Sequence, residues 1–164
     1  MNKIDNRYKE LYKAHYPKVM RLCLGYVAGD EDLAKDLSQE IFIKIWENLE
    51  NFRSESNIST WIYRISVNTC LSKLRTKKKN SRTIGLVDVP DIIEEHSNAD
   101  RENQLARLYA CIKKLSETNR AIILLVLEGL PQHEISDIIG IKHDAIRTRI
   151  HRIKNQLTKC VSNE

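Results

Sequence analysis

The chain is poor in helix-breaking residues, with 5 glycines and 3 prolines among 164 positions. It also has few stretches in which apolar and polar residues alternate. Those absences argue against β-structure and for an all-helical protein. Cysteine is scarce and scattered. Cys23, Cys70, Cys111 and Cys160 form no Cys-x-x-Cys pair, and no histidine stands at ligand spacing, so no metal site is expected. Cys70 and Cys111 lie in apolar stretches, where a thiol acts as a small hydrophobe. Four dispersed thiols and no recognisable signal peptide point to the cytoplasm. The longest apolar run, Ala121 to Leu127, is too short to span a bilayer, so no membrane insertion is expected. The sequence offers no nucleophile–base pair, metal cluster or phosphate-cradling glycine loop. Neither enzymatic activity nor a cofactor is therefore expected.

Charge divides the chain more sharply than length does. Residues 1–79 hold 15 Lys and Arg against 10 Asp and Glu, residues 80–100 hold 1 against 5, and residues 101–164 hold 11 against 7. Two basic blocks around an acidic segment favour an anionic partner such as nucleic acid; solvated helix surfaces would give the same counts. Apolar periodicity predicts helices over about 4–27 (with Pro17 inside), 31–49 and 59–78 in the first block, separated by an Ala28-Gly29 turn and a polar loop at 50–57. Asp30 is a candidate N-cap. The second block predicts helices over about 101–115, 117–128, 132–139 and 143–161. Residues 80–100 have no helical period and contain Gly85, Pro90 and a cluster of acids. The expected architecture is all-α: two small helical domains, 1–79 and 101–164, joined by a flexible acidic linker at 80–100. Each block is near the lower size limit for a free-standing domain, so small cores are expected.

Three helical faces carry the functional signal. At 100° per residue, Leu33, Ala34, Leu37, Ile41 and Ile45 share one side of the second helix and form its core stripe. Asp36, Gln39, Glu40, Ile43 and Glu47 lie opposite, with Trp46 at the edge. An isoleucine and a tryptophan among acids suit docking to a protein with a basic rim, or an ordinary surface with scattered apolar residues. On the third helix Trp61, Arg64, Asn68, Ser72 and Arg75 share a narrow polar side. Ile58, Ile62, Ile65 and Thr69 form one apolar stripe, and Tyr63, Val67, Cys70 and Leu74 another. Cations that take phosphates, a flat ring that takes an unstacked base and an amide that reads base edges are what single-stranded DNA requires. Trp61 as a plain core residue is the other reading. The loop Phe52-Arg53-Ser54-Glu55-Ser56-Asn57 is placed to wall a pocket for an extruded base.

The third face belongs to a helix-turn-helix. Ile135, Ile138 and Ile139 line the first helix, Gly140 permits the tight turn, and Ile141 plugs the corner. Ile146, Ile150, Ile153 and Leu157 recur at helical spacing and face inward. Asp144, Arg147, Thr148, His151, Arg152 and Asn155 then face outward, a set suited to the major groove.

These residues resemble a known family. Asp36-Leu37-Ser38-Gln39-Glu40-Ile41-Phe42-Ile43-Lys44-Ile45-Trp46 looks like the hallmark segment of bacterial sigma factors. Phe52-Arg53 and Thr60-Trp61-Ile62-Tyr63-Arg64-Ile65-Ser66-Val67-Asn68 resemble the segment that follows it, and residues 132–152 resemble the family's C-terminal helix-turn-helix. With only these two domains, the chain is similar to the small extracytoplasmic-function group. The resemblance implies that Asp36, Gln39, Glu40 and Ile43 bind the β′ clamp helices of RNA polymerase core. It implies that the 53–68 region, with Arg53 in it and base contacts at Asn57, Trp61, Arg64 and Asn68, melts and reads the −10 element on the non-template strand. It implies that Arg147, Thr148, His151 and Arg152 meet the −35 element of promoter DNA. Arg75, on the same polar side of the third helix, is assigned to the −10 set with them. It places the run Ala121–Leu127 in the second core, beneath a surface that packs on the β flap, and it admits an anti-sigma factor as a further partner. Pro131-Gln132-His133 and Asp144 depart from the usual pattern, so the upstream sequence preference does not transfer from relatives.

The expected function is that of a specificity subunit that directs polymerase core to promoters and assists strand opening. The alternative is a free-standing helix-turn-helix regulator whose first block senses or dimerises, which would bind duplex tightly alone at a palindromic site. An adaptor that never opens DNA is a third reading, opposed by the aromatic-basic face.

Overall fold

Seven α-helices and one short 3-10 turn make up the described part of the computed structural model, residues 2–84 and 99–162. The first domain contains α1 (Lys3–Tyr26), α2 (Glu31–Asn48), the 3-10 turn Leu49–Asn51 and α3 (Ile58–Ile84). The second contains α4 (Ala99–Lys113), α5 (Glu117–Leu127), α6 (Gln132–Ile139) and α7 (His143–Ser162). The all-α expectation is met. Both ends of the expected linker are helical, however: α3 continues to Ile84 and α4 begins at Ala99. No Pro or Gly interrupts the sequence between Lys78 and Gly85, so nothing stops the helix from propagating. Residues 85–98, with Gly85 and Pro90, lie outside the described residues.

Local chemistry sets the helix ends. Ala28 (φ 54°) and Gly29 (φ 88°) turn the chain after α1, and the Asp30 carboxylate then accepts from the Leu33 N–H at 3.1 Å. Ser116 caps α5 by accepting from the Asn119 N–H at 3.3 Å. Gly140 ends α6 in the left-handed region, φ 79°. Gly140→Ala meets no heavy atom within 4 Å, so its cost is backbone strain alone. We expect a loss of about 1–2 kcal/mol in urea unfolding of the full chain, with the native spectrum retained.

Burial follows the expected stripes with two corrections. In α2, Ala34, Leu37, Ile41 and Ile45 are buried together with Ser38 and Phe42, but Leu33 is 40% exposed. The buried arc centres about 100° away from Leu33, which therefore joins the outer face. In α5, Ala121 to Leu125 are buried, whereas Leu127, on the last turn, is 57% exposed. On α3, Ile62, Tyr63, Val67 and Cys70 are buried, and in the second domain Ile135, Ile138, Ile146, Ile150, Ile153 and Leu157 are buried.

The expectation of four separate thiols is corrected as well. Cys111 of α4 and Cys160 of α7 form a disulfide with Cα atoms 6.0 Å apart. Their sequence separation of 49 residues hides a pairing that only the packing of α4 on α7 creates. Cys23 and Cys70 are buried free thiols. A hydrogen bond with Cys23, and then burial, holds Cys70 well above the usual thiol range.

The two small cores are in fact one. A single apolar cluster runs from Val19, Leu22 and Tyr26 of α1 to Ile122, Leu125, Ile135 and Ile150 of the second domain. α1 packs on α4 and α5, and α3 packs on α6. Gly25 allows a close approach of the two: a Cβ there would overlap the Leu124 side chain. Two blocks that are each too small to bury much apolar surface gain a larger shared core by docking.

Candidate nucleic-acid interface

The outer face of α3 begins at its cap. Asn57 accepts from the Ser59 N–H at 3.0 Å, so its carboxamide also holds the helix start. One turn on, Trp61 is half-buried against Phe52, with ring centroids 4.9 Å apart and planes at 38°. Arg7 of α1 lies over the other ring of that pair, 5.7 Å from the Phe52 centroid. The indole is therefore neither a plain core residue nor a freely exposed one.

Arg53, Asn57, Trp61 and Arg64 line one cleft of about 670 Å³, walled by the loop 51–57 as the sequence suggested. Its opposite wall is unexpected: His133, Glu134 and Asp137 of α6. Arg64 donates from Nη2 to the Asp137 carbonyl at 3.2 Å. Asn68 and Arg75 line a second cleft of about 600 Å³ with Thr118 of α5 and Ile138, Ile139 and Ile141 of the helix-turn-helix. Arg75 pairs with Glu117 at 3.1 Å. All six expected −10 residues thus lie along one side of the first domain, in two clefts, and the second domain forms the far wall of both.

The turn Gly140–Ile141 seats α7 as expected, and the Ser136 hydroxyl donates to the Ile141 carbonyl at 2.5 Å. Arg147, Thr148, His151 and Arg152 are all exposed on one side of α7, with Asp144 and Asn155 among them. His151 Nε2 meets the Asn155 carboxamide at 3.3 Å, and Thr148 donates to the Asp144 carbonyl at 3.2 Å. No described residue covers this face.

On α2, Asp36, Gln39 and Ile43 are exposed, Ile43 at 57%. Glu40 is half-buried and pairs with Lys44 at 3.5 Å and Lys73 at 3.8 Å, so part of its charge is already satisfied. The face is wider than sequence reasoning made it. Tyr8, Tyr12 and Tyr16 of α1 form a groove of about 400 Å³ with Gln39, Phe42 and Ile43. Trp46 stands edge-on to Tyr8 at 5.0 Å. A tyrosine every fourth residue in α1 is the signal that could have revealed this wall.

One helical domain presents an aromatic-basic cleft and the other a helix-turn-helix with an exposed basic face, the two features of a two-part DNA-binding protein of the transcription apparatus. Residues 11–80 match the family model of sigma-70 region 2 and residues 105–157 that of sigma-70 region 4. The chain belongs to the sigma-70 family, and is a sigma factor that directs RNA polymerase to promoters. It is 32% identical over 148 residues to the RNA polymerase sigma factor SigZ of Bacillus subtilis, covering 87% of this chain and 80% of that one. It is 30% identical over 153 residues to the ECF RNA polymerase sigma factor SigE of Mycolicibacterium smegmatis, covering 90% of this chain and 59% of that longer protein. Among solved structures, the sigma factor RpoE in complex with the anti-sigma factor NepR from Bartonella quintana shares the fold. Its TM-score is 0.79 at 21% identity, with 95% of this chain and 97% of that chain covered. No helix among the described residues is long and apolar enough to cross a membrane.

Proposed function

We propose that the cleft around Trp61 captures bases of the −10 element on the non-template strand, while α7 fixes the upstream element. Arg53, Arg64 and Arg75 hold phosphates, the Phe52–Trp61 pair takes an unstacked base, and Asn57 and Asn68 read base edges. Extruding a base costs roughly a few kcal/mol, and capture of the extruded base offsets that cost and makes strand opening favourable. Arg147, Thr148, His151 and Arg152 enter the major groove at −35. Asp36, Gln39, Glu40 and Ile43, with the tyrosine wall beside them, dock on the β′ clamp helices of the polymerase. The second domain packs on the β flap, and an anti-sigma factor, as in the complex of the structural relative, is a further partner. The protein performs no chemistry of its own and acts in the cytoplasm.

The observation that carries this reading is the tilted Phe52–Trp61 pair set among guanidinium and carboxamide groups on one cleft. A free-standing regulator has no use for such a cleft. Run-off transcription with core polymerase on a random promoter library tests the proposal, and enrichment of a bipartite motif is expected. In that assay Asn68→Ala should relax selection at the downstream element only. Arg147→Ala should cost about 1–3 kcal/mol at the upstream element only. A uniform loss at both elements from either substitution would show the assignment of faces to be wrong.

A further inference from the structure

We infer that Asp144, on the assignment of α7 to the upstream element given above, selects a cytosine in that element. At 3.6 residues per turn, Thr148, His151 and Asn155 lie within about 40° of Asp144 around α7. Arg147 stands about 60° to one side of Asp144 and Arg152 about 80° to the other. All six residues are exposed. The carboxylate therefore lies on the central line of the face, between two flanking guanidinium groups. A recognition helix in the major groove turns that line toward the base edges, and it reads them with its N-terminal residues. Asp144 is the second residue of α7.

The groups on the central line narrow the choice of base. Thr148 spends its hydroxyl hydrogen on the Asp144 carbonyl at 3.2 Å, and His151 meets the Asn155 carboxamide at 3.3 Å. The Asp144 carboxylate holds no hydrogen bond or ion pair with a described residue. An ionised carboxylate only accepts, so it needs a donor on the floor of the groove. Guanine N7 and O6 and thymine O4 are acceptors and repel it. Adenine N6 donates, but it sits between its own N7 and the O4 of the paired thymine. Cytosine N4 donates with an acceptor on one side only. The acid thus discriminates as much by what it rejects as by what it binds. Arg147 and Arg152 carry the opposite charge on the flanks, nearer the phosphates, and offset the repulsion that an acid alone would meet on entering the groove.

Run-off transcription with core polymerase on a library randomised across the upstream element tests this role, alongside thermal unfolding of each full chain. Wild type should favour cytosine at one upstream position roughly five- to a hundredfold, the range of a good base contact. Asp144→Ala should lose that preference and leave the neighbouring positions as they are. Asp144→Asn should turn the same position toward adenine, because a carboxamide pairs with N6 and N7 together. An acid in the first turn also suits the helix dipole. If that is its whole role, Asp144→Ala lowers the melting temperature and leaves the selected sequences unchanged, which would overturn the base contact. Equal gains on all upstream sequences from Asp144→Ala would overturn it too, since they mark a charge that merely repels phosphate. Failure of the α7 assignment itself shows differently: Arg147→Ala then leaves upstream selection unchanged as well.

Discussion

Polymerase carrying the Trp61→Ala chain should form open promoter complexes roughly five- to a hundredfold less well than wild type. Base–aromatic stacking contributes about 1–3 kcal/mol per base, and each 1.4 kcal/mol is a factor of about ten. The loss should appear in permanganate reactivity of the melted strand and leave protection at the upstream element intact. Part of the indole packs on Phe52, so the truncation also removes some folding energy. Trp61→Phe separates the two effects: a flat ring remains, and most of the opening activity should return. If Trp61→Ala opens promoters as wild type does, the cleft does not capture a base.

Cys160→Ser should lower the stability of the full chain by about 4 kcal/mol without reductant, from the loop-closure entropy of a disulfide spanning 49 residues. With reductant present, wild type and variant should unfold at the same urea concentration. Cys23 and Cys70 are free and buried, so reduction leaves that pair as it is. Equal stability of variant and wild type without reductant would show that the crosslink does not form in solution. The reducing conditions expected in a cytoplasm favour the dithiol form. There the second domain is held by its apolar contacts and by docking on the first.

Local features were the most legible part of the sequence. The Asp30 cap, the Gly140 turn and the inward spacing of Ile146, Ile150, Ile153 and Leu157 depend on residues within a few turns of one another, and each stands where expected. The outer face of α7 followed directly from that spacing. Leu33 shows the limit of periodicity: a stripe has a centre, and one residue at its margin falls on either side. Relations between distant segments were not legible. The Cys111–Cys160 bond, the tyrosine wall beside Gln39 and Ile43, and the docking of α6 over Arg64 all join residues far apart in the chain. Periodicity says which side of a helix is apolar; it does not say what covers it. Asn57 illustrates a further gap, since a residue chosen as a base contact also caps α3. Its substitution would confuse recognition with helix fraying.

The eight residues of α6 face two ways. Ile135 and Ile138 support the turn into α7, while His133, Glu134 and Asp137 border the Trp61 cleft. On the function proposed above, a change in this segment touches the support of α7 and the border of the Trp61 cleft together, so a new upstream preference has little freedom to arise there. Divergence of binding specificity among such proteins is expected to accumulate in the outward side chains of α7 instead, where Arg147, His151 and Arg152 are exposed.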